Sequence, residues 1–406
     1  MRVAMIAPPW LAVPPTGYGG IENVLAVLVP ELLNLGVEVE LFTTGDSTVK
    51  ATKKHWLYPN GQYDQIHKPQ YEAVPISLAH LMFTLNKVED DGGFDLIHDH
   101  LGFLGPAVLA YACRNLPPAI HTLHGPPFTT EDRIDLGIPD NLPMWRQFRQ
   151  NSQLYFVGIS KALCKTAPPN LKKLMLDPVH NAVDASQFPF VKDKDDYFIT
   201  LARFHPEKGQ AIAVKACLEL GYKLKMAGGV NDIMDPSNLM LEIGNPLSRY
   251  RSLMDFRYFS DEIFPYLLDN KIEHLGEIRG ADKLKVISHA KALLFPIQWE
   301  EPFGMAPIEA LACGTPVVAM ARGALPEIIE HGVNGFLAHN VKEFKHYMTR
   351  VDEIDPAKCR ESVEKNFSAK VMAKNYLDRY KTVIAKTKRS SIKQTKDYLV
   401  ASDLTR

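Results

Sequence analysis

The hydrophobic and polar positions of this chain alternate in blocks, and the order of the blocks repeats. In the first half, the apolar run RVAMIA precedes ENVLAVLVPELLNLG, whose leucines recur at helical spacing before Gly36, and the apolar run VEVELFTT follows. This order predicts a strand, a helix and a second strand. Further buried strands are predicted for FDLIHDH, PAIHTLHG and YFVGIS. Because these strands lack polar alternation and are separated by helices, the pattern indicates a parallel doubly wound sheet.

The same pattern restarts after a polar linker, FPFVKDKDDY. Strands are then predicted for YFITLAR, KLKMAGG, IEHLGEI, KALLFPI and TPVVAM. The fold class is therefore α/β, with two Rossmann-like, doubly wound parallel-sheet domains. The first spans residues 1–185, the second spans 186–369, and a C-terminal helix over about 370–406 is expected to pack back on the first. Open α/β sheets bind ligands at the carboxyl ends of their strands, so we expect the two domains to face each other across a cleft.

Composition narrows the class of protein. The chain has 406 residues with 46% hydrophobic positions, enough to bury two cores. A net charge of -1 excludes a global basic field for nucleic acid. The five cysteines form no C-x-x-C pair, which fits a reducing cytoplasm. The first residues are interpreted as a strand rather than a signal peptide. The basic stretch KTKRSSIKQTK in the tail is either a solvated extension or a peripheral contact with the inner face of a membrane.

A glycine-rich loop, PTGYGGIEN, separates the first strand from the first helix. A dinucleotide fingerprint would need a third glycine where Glu22 stands, so that interpretation fails. Gly19 and Gly20 could still contact one phosphate or the edge of a sugar at the helix N-terminus. A plain tight turn is the alternative.

Two cations follow the first strand of the second domain. Arg203 and Lys208 flank the turn in RFHPEKGQ, at the predicted carboxyl edge of the sheet. An arginine offers planar paired donors and a lysine a point charge, so the two suit a diphosphate. Solvent-facing charges are the alternative.

Two glutamates bracket a helix start in EEPFGMAPIEALACG. The segment from Phe303 to Ala306 offers backbone N–H groups at the positive end of a helix, which is an anion site. A phosphate there would have Glu301 on one side and Glu309 on the other, each able to accept hydrogen bonds from hydroxyls. The alternative is that Glu309 only complements the helix dipole and Glu301 is an exposed loop residue.

Taken together, E-P-F-G-x-x-x-x-E, the two upstream cations, HNAVD at 180–184 and GYGGIE near the start resemble the family 4 (GT4) retaining glycosyltransferases, which have the GT-B fold. The resemblance extends from the first strand to about residue 380. It implies a hexosyltransferase that moves a hexose from a nucleotide-diphosphate sugar to a glycan, lipid or small-molecule acceptor. UDP-glucose is the favoured donor and GDP-mannose the next.

The resemblance also implies roles for individual residues. Arg203 and Lys208 would bind the diphosphate, Glu309 the ribose hydroxyls and Glu301 the transferred sugar. Catalysis would rest on His124, Glu301, Arg203 and Lys208. The remaining donor-binding residues would be Gly19, Gly20, Gly276, Ile278, Phe303, Gly304 and Met305. Two departures from the family pattern are Ala182, where a glycine is usual, and a long segment between Gly229 and Gly276.

Histidines end two strands of the first domain, in HDHLG and HTLHG. A metal cluster is one interpretation, but no acidic or cysteine pattern completes a recognisable site. The resemblance instead matches Thr-x-His to His124, which would reach across the cleft toward the donor sugar. His98, Asp99, His100 and Trp10 would line the acceptor side.

The expected chemistry needs neither metal nor cofactor, because the cations and the helix N-terminus can stabilise the leaving diphosphate. By analogy with the family, the anomeric configuration is retained through front-face attack. Three rivals stay open: a GT-B nucleotide-sugar epimerase, a serine hydrolase with Ser160 in VGISKA as nucleophile, and a binding protein without activity.

Overall fold

The computed structural model describes residues 1–17, 19–66, 68–129, 140–150 and 153–403, without the side chains of Gln70 and 388–403. The side chains of the tail from 388 onward, on which the hypothesis of a membrane contact depends, therefore lie outside the described part. In the segments that are described, no helix has the length and apolar character needed to cross a bilayer.

The chain divides into two compact units. The first comprises Met1–Asn181 together with the chain from Ala369 onward, and the second comprises Ala182–Ser368. The sequence placed the boundaries after residues 185 and 369, so Ala182 to Ala185 belong to the second unit and Ala369 to the first.

The first unit is built on a parallel sheet. Its described strands are β1 (Arg2–Ile6), β2 (Glu38–Phe42), β3 (Lys53–His55), β4 (Leu96–Asp99), β5 (Ala119–Leu123) and β6 (Leu154–Gly158). They lie in the order β3-β2-β1-β4-β5-β6, which is the strand order of the dinucleotide-binding Rossmann fold. Strands β4 and β5 are buried along their whole length, because helices cover both faces of such a sheet.

Helices cover this sheet. Those described are α1 (Gly20–Asn34), α2 (Gln70–Asp91), α3 (Leu104–Ala112), α4 (Leu142–Trp145), α5 (Lys161–Thr166) and α6 (Pro169–Lys172). The long final helix, α15 (Ala369–Asp403), packs against α1 and β5. The apolar stripe of α1 predicted from the leucine spacing is its buried face, with Leu25, Leu28 and Leu32 in the core.

The second unit repeats the arrangement. Its described strands are β7 (Phe198–Leu201), β8 (Leu224–Ala227), β9 (Ile272–Gly276), β10 (Ala292–Phe295), β11 (Val317–Met320) and β12 (Gly335–Ala338). Their order, β12-β11-β10-β7-β8-β9, is the Rossmann order read from the other edge. The described helices are α7 (Gln210–Leu220), α8 (Pro236–Gly244), α9 (Met254–Glu262), α10 (Gly280–His289), α11 (Met305–Ala312), α12 (Leu325–Ile328), α13 (Val341–Met348) and α14 (Pro356–Asn366).

Candidate active site

The loop that follows β7 carries both predicted cations of the second unit. It closes with a 3-10 turn, Pro206–Lys208, and Gly209, with a φ of 69°, is the N-cap of α7. A Cβ on Gly209 would collide with the backbone oxygen of Pro296, at the end of β10. Glycine is therefore required here for its backbone conformation and for the close approach of two loops. This approach places Lys208 beside the segment that follows β10.

Lys208 and Glu301 form a close ion pair. The distance from Lys208 Nζ to Glu301 Oε2 is 2.7 Å, and both side chains are largely buried. The indole Nε1–H of Trp299 donates to the same oxygen at 3.0 Å, and Lys208 Nζ lies 4.8 Å from the centroid of the Trp299 ring. Trp299 was not predicted as a site residue, although it stands two residues before Glu301.

Backbone contacts hold Glu301 in place. Its carbonyl oxygen accepts a hydrogen bond from the N–H of Ala324 at 2.9 Å. The neighbouring Glu300 carboxylate accepts from the N–H of Gly323 at 2.7 Å. Glu301 is 9% exposed, so the alternative of an exposed loop residue is wrong.

The start of α11 has the features of an anion site. Gly304 is the N-cap with a φ of 101°, and no side chain caps the first-turn N–H groups. Phe303 is buried on one side of this turn and Met305 begins the helix. Uncapped N–H groups at the positive end of a helix favour an anionic ligand.

Glu309 is paired with a lysine that the sequence analysis did not single out. Lys283 Nζ, from α10, lies 2.9 Å from Glu309 Oε1 and 2.8 Å from Oε2. An ionised carboxylate offers about four acceptor positions, so Glu309 can accept further hydrogen bonds while the pair persists. Glu309 therefore does more than complement the dipole of α11, because it also forms an ion pair with Lys283.

Gly276 lies at the end of β9 and has a φ of 69°. Its carbonyl accepts from the N–H of Gly228 at 2.8 Å, and a Cβ there would come within 2.7 Å of Pro236 Cδ. Gly276 thus fixes the packing of two loops at the carboxyl edge of the sheet. Ile278, two residues on, is half-buried, and base contacts by these residues stay a prediction.

Arg203 contacts a carboxylate from the long segment between β8 and β9. Its Nη1 donates to Asp255 Oδ2 at 3.1 Å, and about half of its side chain is exposed. Lys208 and Arg203 therefore occupy one loop but have different acidic partners. Asp255 was not predicted from the sequence.

In the first unit, the predicted histidines form a buried network at the ends of β4 and β5. His98 uses both ring nitrogens, with Nδ1 2.7 Å from Tyr380 Oη and Nε2 2.8 Å from Thr122 Oγ1. Asp99 Oδ2 accepts from His121 Nδ1 at 2.6 Å. His98, Asp99 and His100 have no exposed surface, which argues against the acceptor contacts predicted for these three residues.

His124 follows β5 and contacts His100. The distance from His100 Nδ1 to His124 Nε2 is 2.8 Å. Burial, together with the charge of His121, lowers the pKa of His124 to about 3, and burial holds the pKa of His100 well below its usual range. The contact is therefore a hydrogen bond between two neutral imidazoles at pH 7, and the predicted role of His124 at the donor sugar stays a prediction.

The first turn of α1, directly after the glycine loop, carries a buried carboxyl group, Glu22, for which no role was predicted. Gly19 is the N-cap of α1 and Gly20 its first residue. A Cβ on Gly19 would come within 3.0 Å of Glu22 Oε2, so this carboxyl group folds back over the loop. Burial raises the pKa of Glu22 to about 7. Trp10, predicted on the acceptor side, is half-buried in the turn after β1.

Ser160, the nucleophile of the hydrolase hypothesis, is fully buried at the start of α5. Its Oγ accepts from the N–H of Leu163 at 3.0 Å, which is a helix cap.

In the described part of the chain, no group of three or more His, Cys, Asp or Glu side chains is arranged to hold a metal ion.

The fold and the site define a class. Two Rossmann-like units in tandem are the architecture of a GT-B glycosyltransferase. The uncapped start of α11 and the Lys208–Glu301 pair both lie in the second unit. The chain belongs to the family 4, or group 1, glycosyltransferases: the sequence model of "Glycosyltransferase Family 4" matches residues 18–166, and that of "Glycosyl transferases group 1" matches residues 184–367. The predicted family and the predicted enzyme class, a hexosyltransferase, are confirmed.

Known proteins agree with this assignment. The D-inositol 3-phosphate glycosyltransferase of Mycolicibacterium smegmatis is 26% identical over 375 residues, covering 86% of this chain and 82% of its own. Among solved structures, sucrose-phosphate synthase from Thermosynechococcus elongatus gives a TM-score of 0.69 at 19% identity, covering 95% and 99% of the two chains. HepE from Anabaena, solved with UDP-glucose, gives 0.61 at 16% identity, covering 96% and 100%. At these identities, the two structures support the GT-B fold alone.

Proposed function

We propose that this protein is a retaining hexosyltransferase that uses a nucleoside diphosphate sugar, with UDP-glucose favoured over GDP-mannose, and needs no metal ion. The acceptor would be a hydroxyl group of a glycan, lipid or small molecule. The observation that carries the proposal is the arrangement around the start of α11, where an uncapped helix N-terminus lies between two glutamates that are each held by a lysine.

The first step to explain is departure of the nucleoside diphosphate, which develops negative charge. Lys208, Arg203 and the first-turn N–H groups of α11 supply positive charge from one edge of one sheet. Fixed charges and dipoles of this kind stabilise a leaving group without reorganisation. The pair with Glu301 holds Lys208 in place before the donor binds, which favours this role.

Glu309 would bind the ribose hydroxyls. Lys283 neutralises its charge, so a diphosphate can bind nearby without meeting an uncompensated carboxylate. The same pair leaves acceptor positions of Glu309 open for hydroxyl donors. Lys283 is thus a further candidate of the donor site.

Retention of configuration is proposed from the family resemblance, and the surroundings of Glu301 favour front-face attack over double displacement as its route. A double displacement would need a carboxylate able to attack the anomeric carbon. Glu301 Oε2 already accepts hydrogen bonds from both Lys208 and Trp299, and these interactions reduce its nucleophilicity. Front-face attack, in which the leaving phosphate takes the proton of the acceptor, accommodates this arrangement.

The preference for UDP-glucose follows from the family resemblance, and HepE, which shares the fold, was solved with that molecule. Thermal unfolding with UDP-glucose, GDP-mannose and ADP-glucose tests it, because a ligand that binds only the folded state raises the midpoint. We expect the largest rise with UDP-glucose. A larger rise with GDP-mannose would correct the donor, and no rise with any of them would overturn the proposed donor site.

Turnover is tested by nucleoside diphosphate release from the stabilising donor. Candidate acceptors include inositol 3-phosphate, because the similar mycobacterial protein is named for it. We expect release to depend on an acceptor, to persist in EDTA and to give a product with the donor's anomeric configuration by NMR. Conversion of the donor without an acceptor would favour an epimerase, and loss of activity in EDTA would contradict metal independence.

A further inference from the structure

The long segment between β8 and β9 is attached to the loop that carries Arg203 and Lys208. Its helix α9 places Phe259 against Phe204 of that loop, with ring centroids 4.8 Å apart. On the other side of the loop, Tyr258 Oη accepts a hydrogen bond from the N–H of Ala211, in the first turn of α7, at 2.8 Å. Helix α9 therefore contacts both the beginning of the loop, at Phe204, and the helix that follows the loop, at Ala211.

Between these contacts, α9 presents Asp255 to the loop. Asp255 is 9% exposed, and its Oδ2 accepts from Arg203 Nη1 at 3.1 Å. His205 Nδ1 accepts from the N–H of Glu207 at 3.1 Å, so the neutral ring carries its proton on Nε2, which lies 3.7 Å from Asp255 Oδ1. One largely buried carboxylate thus lies between two side chains of the same loop.

Arg203 forms hydrogen bonds through its backbone carbonyl and through one nitrogen of its guanidinium group. Gln210 Nε2 donates to the carbonyl oxygen of Arg203 at 2.9 Å, while Nη1 is engaged by Asp255. A guanidinium has five N–H donors, and half of this side chain remains exposed, so several donors can meet a ligand. A side chain already fixed in orientation loses less entropy when it binds a phosphate.

We propose that Asp255 is a positioning residue that fixes the Arg203 guanidinium for the donor diphosphate, and that this is the function of α9 in the inserted segment. The inference rests on the proposed function, in which Arg203 binds that diphosphate. It assigns Asp255 no contact with the donor itself.

A double-mutant cycle with Arg203→Ala and Asp255→Ala tests this. The measurements are the Kd values of UDP and GDP by calorimetry, and kcat/KM for donor consumption. We expect Asp255→Ala to weaken binding of the preferred nucleotide about fivefold to tenfold, as for loss of one ordinary hydrogen bond, because Asp255 acts only through Arg203. In the Arg203→Ala background, the second substitution should change the affinity by less than about twofold, because its effect acts through Arg203.

The outcomes separate the inference from the function on which it rests. Unchanged nucleotide binding in Arg203→Ala, or no binding of either nucleotide by the wild type, would refute the diphosphate role and the inference with it. A weakened Arg203→Ala together with an unaffected Asp255→Ala, or with equal effects of Asp255→Ala in both backgrounds, would overturn the positioning role alone.

Two variants guard against trivial explanations. Asp232→Ala removes an exposed ion pair with Arg249 in the same segment and should leave the affinity unchanged. Asp255→Asn keeps an oxygen that can accept a hydrogen bond from Arg203 Nη1, so it should fold and retain most of the affinity. It replaces Asp255→Ala in the test if that variant does not fold. A loss in Asp255→Asn that is undiminished in the Arg203→Ala background would contradict the inference.

Discussion

Glu301 and Glu309 are each paired with a lysine from elsewhere in the chain. Lys208 precedes Glu301 by 93 residues, and Lys283 precedes Glu309 by 26. The sequence predicted three of these residues as site members, but it could not predict the pairs. Strands β7 and β10 are neighbours in the sheet, and only this adjacency brings the two loops together. Asp255 escaped prediction because its partner, Arg203, precedes it by 52 residues.

Replacement of Lys208 tests the ion pair at the level of one residue. Lys208→Ala should weaken nucleotide binding and slow turnover together, each by about tenfold or more, because the charge acts in both the bound and the transition state. Steady-state kinetics and calorimetry with the preferred donor measure this. Lys215→Ala is the control, since Lys215 forms an exposed pair with Glu262. Near-wild-type kinetics for Lys208→Ala would contradict the diphosphate role.

Glu22 gives a prediction for stability. Its folded-state pKa of about 7 exceeds the ordinary 4.5, so the folded state holds the proton more tightly than the unfolded state. The contribution of Glu22 to the free energy of unfolding is therefore fully present below about pH 4.5. It is lost as the pH rises through 7. The shift corresponds to at most about 3 kcal/mol at pH 8.

Glu22→Gln removes the titration. The quantity to compare is the thermal midpoint of the variant minus that of the wild type. This difference should be more positive at pH 8 than at pH 5. Glu72→Gln, at an exposed site in the first turn of α2, should show the same difference at both pH values. A difference for Glu22→Gln that does not change with pH would show that Glu22 is ionised in the folded state without cost.

At the scale of elements, the apolar runs predicted ten strands, and each lies in one of the two sheets. Strands β3 and β12 were missed. β3 is three residues long and reads Lys-Lys-His, and β12 is the four-residue segment that begins at Gly335, so neither has a run long enough to stand out. Both are edge strands whose pairing depends on a preformed neighbour.

The two glycines that bracket α7 allow a matched test of how this element places Lys208. Gly209 and Gly221 both have positive φ, but a Cβ on Gly209 would collide with backbone whereas one on Gly221 has space. Gly221→Ala should cost about 1 kcal/mol from the backbone conformation alone. Gly209→Ala should cost at least about 2 kcal/mol more and weaken nucleotide binding. Equal thermal midpoints for the two variants would contradict this account.

At the scale of the whole molecule, the sequence predicted two Rossmann-like domains and a C-terminal helix that returns to the first. The described chain has this division, with α15 in the first unit. Tyr376 and Tyr380 of α15 reach Thr122 and His98, contacts that no local pattern could predict because more than 250 residues separate the partners. The last helix thus completes the core of the first unit as well as covering it.

From the lowered pKa values of its histidines, we expect the first unit to lose stability on acidification more than the second. Burial lowers the pKa of His80 to about 4 and of His124 to about 3, and holds the pKa of His98 and His100 well below 6.5. All four lie in the first unit, whereas the pKa of Glu22 shifts in the opposite sense. Below about pH 6.5, these histidines take up protons in the unfolded chain but not in the folded unit. The free energy of unfolding of the first unit therefore decreases as the pH is lowered.

Hydrogen exchange with mass spectrometry at pH 7.5 and 5.5, corrected for intrinsic rates, separates the units. We expect peptides from β4 and β5 to lose more protection at pH 5.5 than peptides from β10 and β11. In the second unit, burial also lowers the pKa of His274, so the expected contrast rests on the four shifted histidines of the first unit. Equal losses in both units would show that the histidine network opens or protonates without unfolding the first sheet.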